Sequence, residues 1–225
     1  MQKLIVIEGL DGSGKATQTK LLTDWFKKKR LDVRQISFPD YESPSSALVK
    51  LYLGGAFGKS PDDVNAYAAS SFYAVDRYAS YKQFWEKDYL SGKIIIADRY
   101  TTSNAIYQLS KVETENRDGF LEWLEFYEYR QLQLPVPDLT VYLDMPIEIS
   151  QELLVRRYNG DAGKKDLHES NFSFLKQCRE SALYSAEKYG WHIINCSENG
   201  KAMSIQAIHN AVLDEVKKKF FTDYD

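Results

Sequence analysis

The feature that most restricts this chain lies near its start. There Ile5-Val6-Ile7-Glu8-Gly9-Leu10-Asp11-Gly12-Ser13-Gly14-Lys15-Ala16-Thr17-Gln18 passes from an apolar run through glycines into residues that suit a helix. A short continuous apolar run reads as a strand buried on both faces of a parallel sheet, and parallel strands need long crossovers, usually helical. Gly9, Gly12 and Gly14 have no Cβ, so the backbone there can take positive φ and turn its N–H groups inward around an anion. A helix opening near Lys15 adds its positive dipole end, and Lys15 adds a full charge. Gly9, Leu10, Asp11, Gly12, Ser13, Gly14, Lys15, Ala16 and Thr17 therefore read as a cradle for a polyphosphate.

A phosphate loop of this kind normally ends Gly-Lys-Ser/Thr, because the hydroxyl ligates Mg²⁺, yet Ala16 stands there and Thr17 follows one place later. Thr17 is rotated by about 100° around the helix from position 16, so it suits contact with an inner phosphate better than replacement of the ligand. Water is expected to fill the missing coordination position.

Further strands are expected at Val33–Phe38, Ile94–Ala97, Leu139–Asp144 and Trp191–Cys196, each followed or preceded by helical periodicity. Five strands alternating with helices mean a five-stranded parallel sheet covered on both faces, a three-layer α/β fold. With 225 residues and no repeat or linker, a single domain spanning 1–225 is expected. A net charge of −3 without a broad basic face argues against nucleic acid as a partner. Cys178 and Cys196 have neither disulfide-scaffold nor zinc spacing. With no leader-like start and no run of about 18 apolar residues, a cytoplasmic protein without a membrane span is expected.

Candidate site residues fall where open parallel sheets collect ligands, at the carboxyl ends of strands. Ile94-Ile95-Ile96-Ala97 ends in Asp98-Arg99-Tyr100, where Asp98 can hold magnesium through water and Arg99 can bridge phosphates. The segment that follows, with Ser103, Asn104, Tyr107 and Gln108, is rich in groups able to read a base edge. A long helix is expected from Pro61 to Tyr89. On it Tyr73 and Arg77, four apart, share a face and can offer a ring and a guanidinium to one flat ligand; the competing arrangement packs Tyr73 in the core and pairs Arg77 with a carboxylate. Residues 158–169, charged and with Gly160 and Gly163, read as a mobile lid or as an ordinary exposed connection. His168 has no metal-like spacing. Asn195 to Lys201 is expected to be a loop where an adenine can rest.

Taken together, the Glu8-Gly9-x-Asp11-Gly12-Ser13-Gly14-Lys15 loop, Phe38-Pro39, Tyr73 to Arg77, Asp98-Arg99-Tyr100, Tyr107-Gln108, Tyr142-Leu143-Asp144 and Asp166-Leu167-His168-Glu169 make the chain resemble the thymidylate kinase family over its whole length. That resemblance implies a P-loop NTPase-type fold with a small lid and transfer of phosphate from ATP with Mg²⁺ to dTMP, for dTTP synthesis. It also implies a homodimer. Asp11 would then hold the deoxyribose 3′-hydroxyl, Tyr73, where the family usually has Phe, would stack on thymine, and Arg77 would bond a thymine carbonyl. Ser103, Asn104 and Gln108 would complete the base edge, Tyr107 would bound the sugar, and Arg99 would lie between donor and acceptor phosphates. Members of the family carry a phosphate-stabilising arginine either in the loop or in the lid. Gly12 occupies the loop position here, which leaves Arg156 or Arg157, with Lys164 and Lys165, to act from the lid. The chain departs from the family at Ala16, and at Tyr41 and its neighbours, where an arginine often grips the acceptor phosphate. Two other readings fit the same motifs: a deoxynucleoside kinase using Glu8 as its base, and a silent nucleotide-binding relative.

Overall fold

The structure, a computed structural model, describes residues 3–157, 168 and 171–221. In chain order the elements are β1 (Lys3–Gly9), α1 (Lys15–Lys28), β2 (Val33–Ser37), α2 (Ala47–Leu53), α3 (Ala66–Ser80), α4 (Glu86–Leu90), β3 (Ile94–Asp98), α5 (Asn104–Tyr107), α6 (Arg117–Glu125), β4 (Leu139–Asp144), α7 (Ile147–Arg157), α8 (Phe172–Tyr189), β5 (His192–Asn195), the hairpin β6 (Ser197–Glu198) and β7 (Lys201–Ala202), and α9 (Ile205–Phe220). Five strands form one parallel sheet in the order β2-β3-β1-β4-β5, as the alternating pattern predicts.

β1 is central because its residues are apolar on both faces. Ile5 and Ile7 pack with Leu22 and Phe26 of α1 and Val212 and Val216 of α9, while Leu4 and Val6 point the other way, into a cluster with Ile95, Ala97, Trp85 and Tyr100. This is the period of two expressed as two cores. Each fully buried Ile, Leu, Val or Phe among these contributes about 1.5–3 kcal/mol. The register sets Ile7 beside Asp98 and Gly9 beside Leu143. Consequently the glycine loop after β1, the Asp98-Arg99 turn after β3 and the end of β4 meet on one rim. Among the described residues no helix is long and apolar enough to cross a membrane.

Three expectations need correction. The helix anticipated from Pro61 begins instead at Ala66. Ser60 caps only a 3₁₀ turn over Pro61–Asp63, Val64 is extended (φ −118°, ψ 119°), and Asn65 then caps α3 by accepting from the Ala68 N–H at 2.9 Å. Between α3 and α4 the chain makes a π-helical turn over Tyr81–Trp85, which carries both Tyr81 and Trp85 into the core. A second π-helical turn, Phe126–Gln131, continues α6. Finally, the loop expected after β5 holds the β6–β7 hairpin, turned at Asn199 (φ 50°) and Gly200 (φ 72°). Positive φ at both central residues is what a type I′ two-residue hairpin turn needs, and Asn-Gly supplies it at little strain.

Candidate active site

A cavity of about 780 Å³ opens on the rim where β1, β3 and β4 end. Its floor at one end is the glycine loop. Gly14 is left-handed (φ 92°) at the start of α1, and no side chain caps that helix, so the N–H groups of its first turn face outward without a side-chain partner. Ser13 Oγ is buried, lines the cavity and has no hydrogen-bond partner among the described residues. Gly12 (φ 83°) lies so close to α7 that a Cβ would stand 2.4 Å from the Ser150 carbonyl oxygen. Position 12 is therefore closed to any larger residue, a cation included.

Lys15 is buried. Its Nζ donates to the Leu10 carbonyl at 2.9 Å and lies 3.7 Å from Asp11 Oδ1. Burial, and secondarily the neighbouring Arg99, push its ammonium below the ordinary lysine range, while Asp11, Asp98 and Glu8 oppose that shift. An anion arriving in the cradle replaces lost hydration here, in a medium where charge interactions are stronger than in water.

Arg99 stands between the two ends. It holds a left-handed backbone (φ 67°), uncommon for a side chain of this size and typical of functional turns. Its Nη2 donates to Asp11 Oδ1 and, at 3.3 Å, to Tyr107 Oη, while Tyr107 donates to Asp11 Oδ2 at 3.0 Å. The guanidinium also lies 5.1 Å from the centre of the Tyr107 ring. Burial pushes the Asp11 carboxyl up, but Arg99 and Lys15 outweigh it and hold the group well below the usual carboxylate range. The turn carrying Arg99 is tied down from beneath by Glu8. This fully buried carboxylate accepts from Tyr100 N–H (3.2 Å), Thr102 Oγ1 (2.7 Å) and Ser103 Oγ (2.8 Å), and burial pushes its pKa up. Glu8 does not line the cavity, which removes the ground for treating it as a catalytic base.

The other end of the cavity gathers Tyr73, Arg77, Asn104 and Gln108. Arg77 combines both sequence alternatives: it lines the cavity and is also paired with a carboxylate, Glu128, through Nε (2.7 Å) and Nη2 (2.6 Å). Gln108 is 1% exposed, lines the cavity, and neither amide atom has a hydrogen-bond partner among the described residues. A buried primary amide without partners is costly, so its place on the wall points to a polar ligand. Ser103 reaches the wall but donates to Glu8. Tyr73 meets Tyr52 edge to face, with centroids 6.4 Å apart.

His168 is also on the wall and buried, stacked on Tyr107 with an interplanar angle of 12°. Lys111 Nζ donates to Tyr52 Oη at 2.7 Å, and Tyr52 Oη lies 2.9 Å from His168 Nε2. An ammonium can only donate, so Tyr52 Oη accepts from Lys111. Burial, with Lys111 adding to it, pushes His168 down to about 3, and burial pushes Lys111 down to about 8.

Asp98 lines the cavity, and Ala16 and Thr17 do so from the first turn of α1. Among the described residues no three His, Cys, Asp or Glu gather as a metal cage. Isolated carboxylates beside a phosphate cradle fit a magnesium ion held mainly by substrate oxygens and water. Arg156 is exposed on the last turn of α7 and does not reach the cavity wall. The side chain of Arg157, and the anticipated lid apart from His168, lie outside the described residues. Sequence reasoning missed Glu128 and Lys111 as parts of this site, and gave His168 no role beyond its place in the anticipated lid. For Glu128 a signal existed, since Leu121, Leu124 and Glu128 follow one helical stripe and put an acid on the buried face.

A parallel sheet with this strand order, its glycine cradle and a polar cavity on the same rim define a P-loop nucleotide-binding protein. The family model of thymidylate kinase matches residues 7–208. The chain is 32% identical over 212 residues to a probable thymidylate kinase of Thermococcus onnurineus, covering 93% of this chain and 94% of that one. It is 30% identical over 193 residues to the thymidylate kinase of Mycobacterium tuberculosis, covering 84% and 87%. This chain belongs to the thymidylate kinase family. The solved structure of Candida albicans thymidylate kinase, with a TM-score of 0.69 at 24% identity over 96% of this chain and 92% of that one, shares the fold.

Proposed function

We propose that the chain transfers the γ-phosphoryl group of ATP directly to dTMP, giving ADP and dTDP on the way to dTTP, inside this single cavity of one domain. The observation that carries the reading is the arrangement of one continuous cavity: phosphate cradle at one end, base-sized polar wall at the other, and the Asp11–Arg99–Tyr107 cluster between them. Phosphoryl transfer asks a protein for alignment and charge neutralisation rather than covalent chemistry. The first-turn N–H groups of α1, Ser13 and Lys15 hold the donor phosphates. Arg99 bridges donor and acceptor, and Asp11 with Tyr107 fixes it there while bounding the sugar and its 3′-hydroxyl. Tyr73 stacks on the thymine ring, and Arg77, Asn104 and Gln108 meet its polar edge. Ser103 serves that wall through Glu8. The acceptor phosphate is largely ionised near neutral pH, so no side chain has to remove a proton from it.

Magnesium, when bound with ATP, neutralises phosphate charge; Asp98 would hold it through water, Ala16 offering no ligand. Because Gly12 has no room for a cation, the charge that reaches the transferring group comes from the segment beginning at Arg156, with Arg157, Lys164 and Lys165 as the candidates. We also propose a cytoplasmic homodimer. The exposed apolar side chains Tyr67, Val75 and Tyr78 on α3 support such pairing, and the buried, unpaired Cys178 and Cys196 suit a reducing compartment.

An ADP-release assay with ATP and Mg²⁺ tests the substrate directly, with dTMP run beside thymidine, dUMP, dCMP and dGMP. Turnover with dTMP well above all others is expected. Consumption of thymidine instead would make the chain a nucleoside kinase, and binding of ATP without turnover would make it a silent relative.

A further inference from the structure

Behind the base end of the cavity, on the π-helical turn after α6, Glu128 is 0% exposed and does not itself line the cavity. Its Oε1 accepts from Arg77 Nη2 at 2.6 Å and from Asn104 Nδ2 at 2.8 Å, and its Oε2 accepts from Arg77 Nε at 2.7 Å. One carboxylate thus grips two residues of the cavity wall, Arg77 and Asn104.

The grip fixes more than position. Asn104 Nδ2 gives its second hydrogen to the Ser70 carbonyl at 3.2 Å. Both of its partners can only accept, so the amide cannot turn over, and its Oδ1 is left as an acceptor with no partner among the described residues. Arg77 spends its Nε–Nη2 edge on Glu128 and one Nη1 hydrogen on the Tyr100 carbonyl at 3.3 Å, leaving one hydrogen on each Nη. The wall therefore offers a donor from Arg77 and an acceptor from Asn104. A pyrimidine with a 4-keto group and N3–H presents the complementary pair, acceptor and donor. A 4-amino pyrimidine presents the reverse at both places.

We propose that Glu128 is a positioning residue that sets the hydrogen-bond polarity of the base-reading wall, and so sets discrimination for 4-keto over 4-amino pyrimidine monophosphates without touching either. The inference rests on reading this cavity as the dTMP site. A carboxylate is needed for it: a glutamine at 128 must turn its NH₂ either toward Arg77 Nε or toward the place shared by Arg77 Nη2 and Asn104 Nδ2, so a donor meets a donor in both orientations and the wall loses its fixed donor-acceptor pattern. Each mismatched buried hydrogen bond costs enough to change selectivity by about tenfold or more.

The test compares kcat and KM for dTMP and dCMP in the unaltered enzyme, Glu128→Gln and Glu128→Asp, with the KM for ATP as an internal control. For Glu128→Gln the expected result is a fall of about tenfold or more in the ratio of kcat/KM for dTMP over dCMP, carried by KM, with kcat for dTMP and KM for ATP nearly unchanged. Glu128→Asp keeps an acceptor-only group and should retain the original ratio. Equal losses on both nucleotides in Glu128→Gln, with the ratio within about twofold of the original, would reduce Glu128 to a structural ion pair and overturn the proposal. Should Glu128→Gln fail to fold, Glu128→Asp decides: a preserved ratio is expected, and a collapse of it overturns the proposal. A lack of preference for dTMP in the unaltered enzyme would instead refute the substrate reading, so the two failures are separable.

Discussion

His168 gives the sharpest physical prediction. Its imidazole is buried, stacked on Tyr107, and bonded through Nε2 to a tyrosine that Lys111 already holds. Burial holds it at about 3 in the folded chain, against about 6.5 when unfolded. Between those values the unfolded chain binds a proton that the folded chain does not, so stability is fully present above about pH 6.5 and declines as pH falls. At about 1.4 kcal/mol per unit, the loss from this group between pH 7 and pH 5 is about 2 kcal/mol. Glutamine at 168 keeps an acceptor near Nε2 and removes the titration. Urea unfolding at pH 7, 6 and 5 should show the unaltered chain losing about 2 kcal/mol more than His168→Gln over that range. His209, which burial also pushes down, and Glu8 are present in both proteins and cancel in the difference. Parallel curves for the two proteins would refute the claim that His168 is buried in its neutral form.

Gly12→Ala should lower the unfolding free energy by about 1–3 kcal/mol, because φ is 83° and the added Cβ meets the Ser150 carbonyl oxygen; a thermal melt unchanged from the parent would contradict the closeness of α7. Ala16→Ser should lower the Mg²⁺ concentration needed for half-maximal turnover, since it restores a hydroxyl at the start of α1; an unaltered Mg²⁺ titration would mean that position 16 does not face the metal.

Much of the fold is legible in local pattern. The continuous apolar runs at Ile5–Ile7 and Ile94–Ala97 become β1 and β3 because strands buried on both faces leave no alternation to misread, and Leu139–Leu143, broken only by a buried Thr140, becomes β4. The cradle is legible for the same reason: Gly9, Gly12 and Gly14 all take the positive φ that their spacing anticipates. What local pattern does not carry is pairing across distance. Glu128 meets Arg77 across 51 positions, and Lys111, Tyr52 and His168 come from three separate segments. Each of these residues is ordinary in its own neighbourhood and acquires a role only from burial against the others. The break before Ala66 was masked by the good cap at Ser60-Pro61, which serves a single 3₁₀ turn rather than the helix. Arg156, expected to act together with the anticipated lid, is exposed on the last turn of α7 and is not part of the cavity wall formed by the described residues.

The central claim is direct transfer between two nucleotides in one cavity, and rapid-quench single turnover with γ-labelled ATP and dTMP tests it most closely. Label should pass from ATP to dTDP with no lag and without labelled protein at any time. Label on the protein, or its release as inorganic phosphate in place of dTDP, would contradict the account.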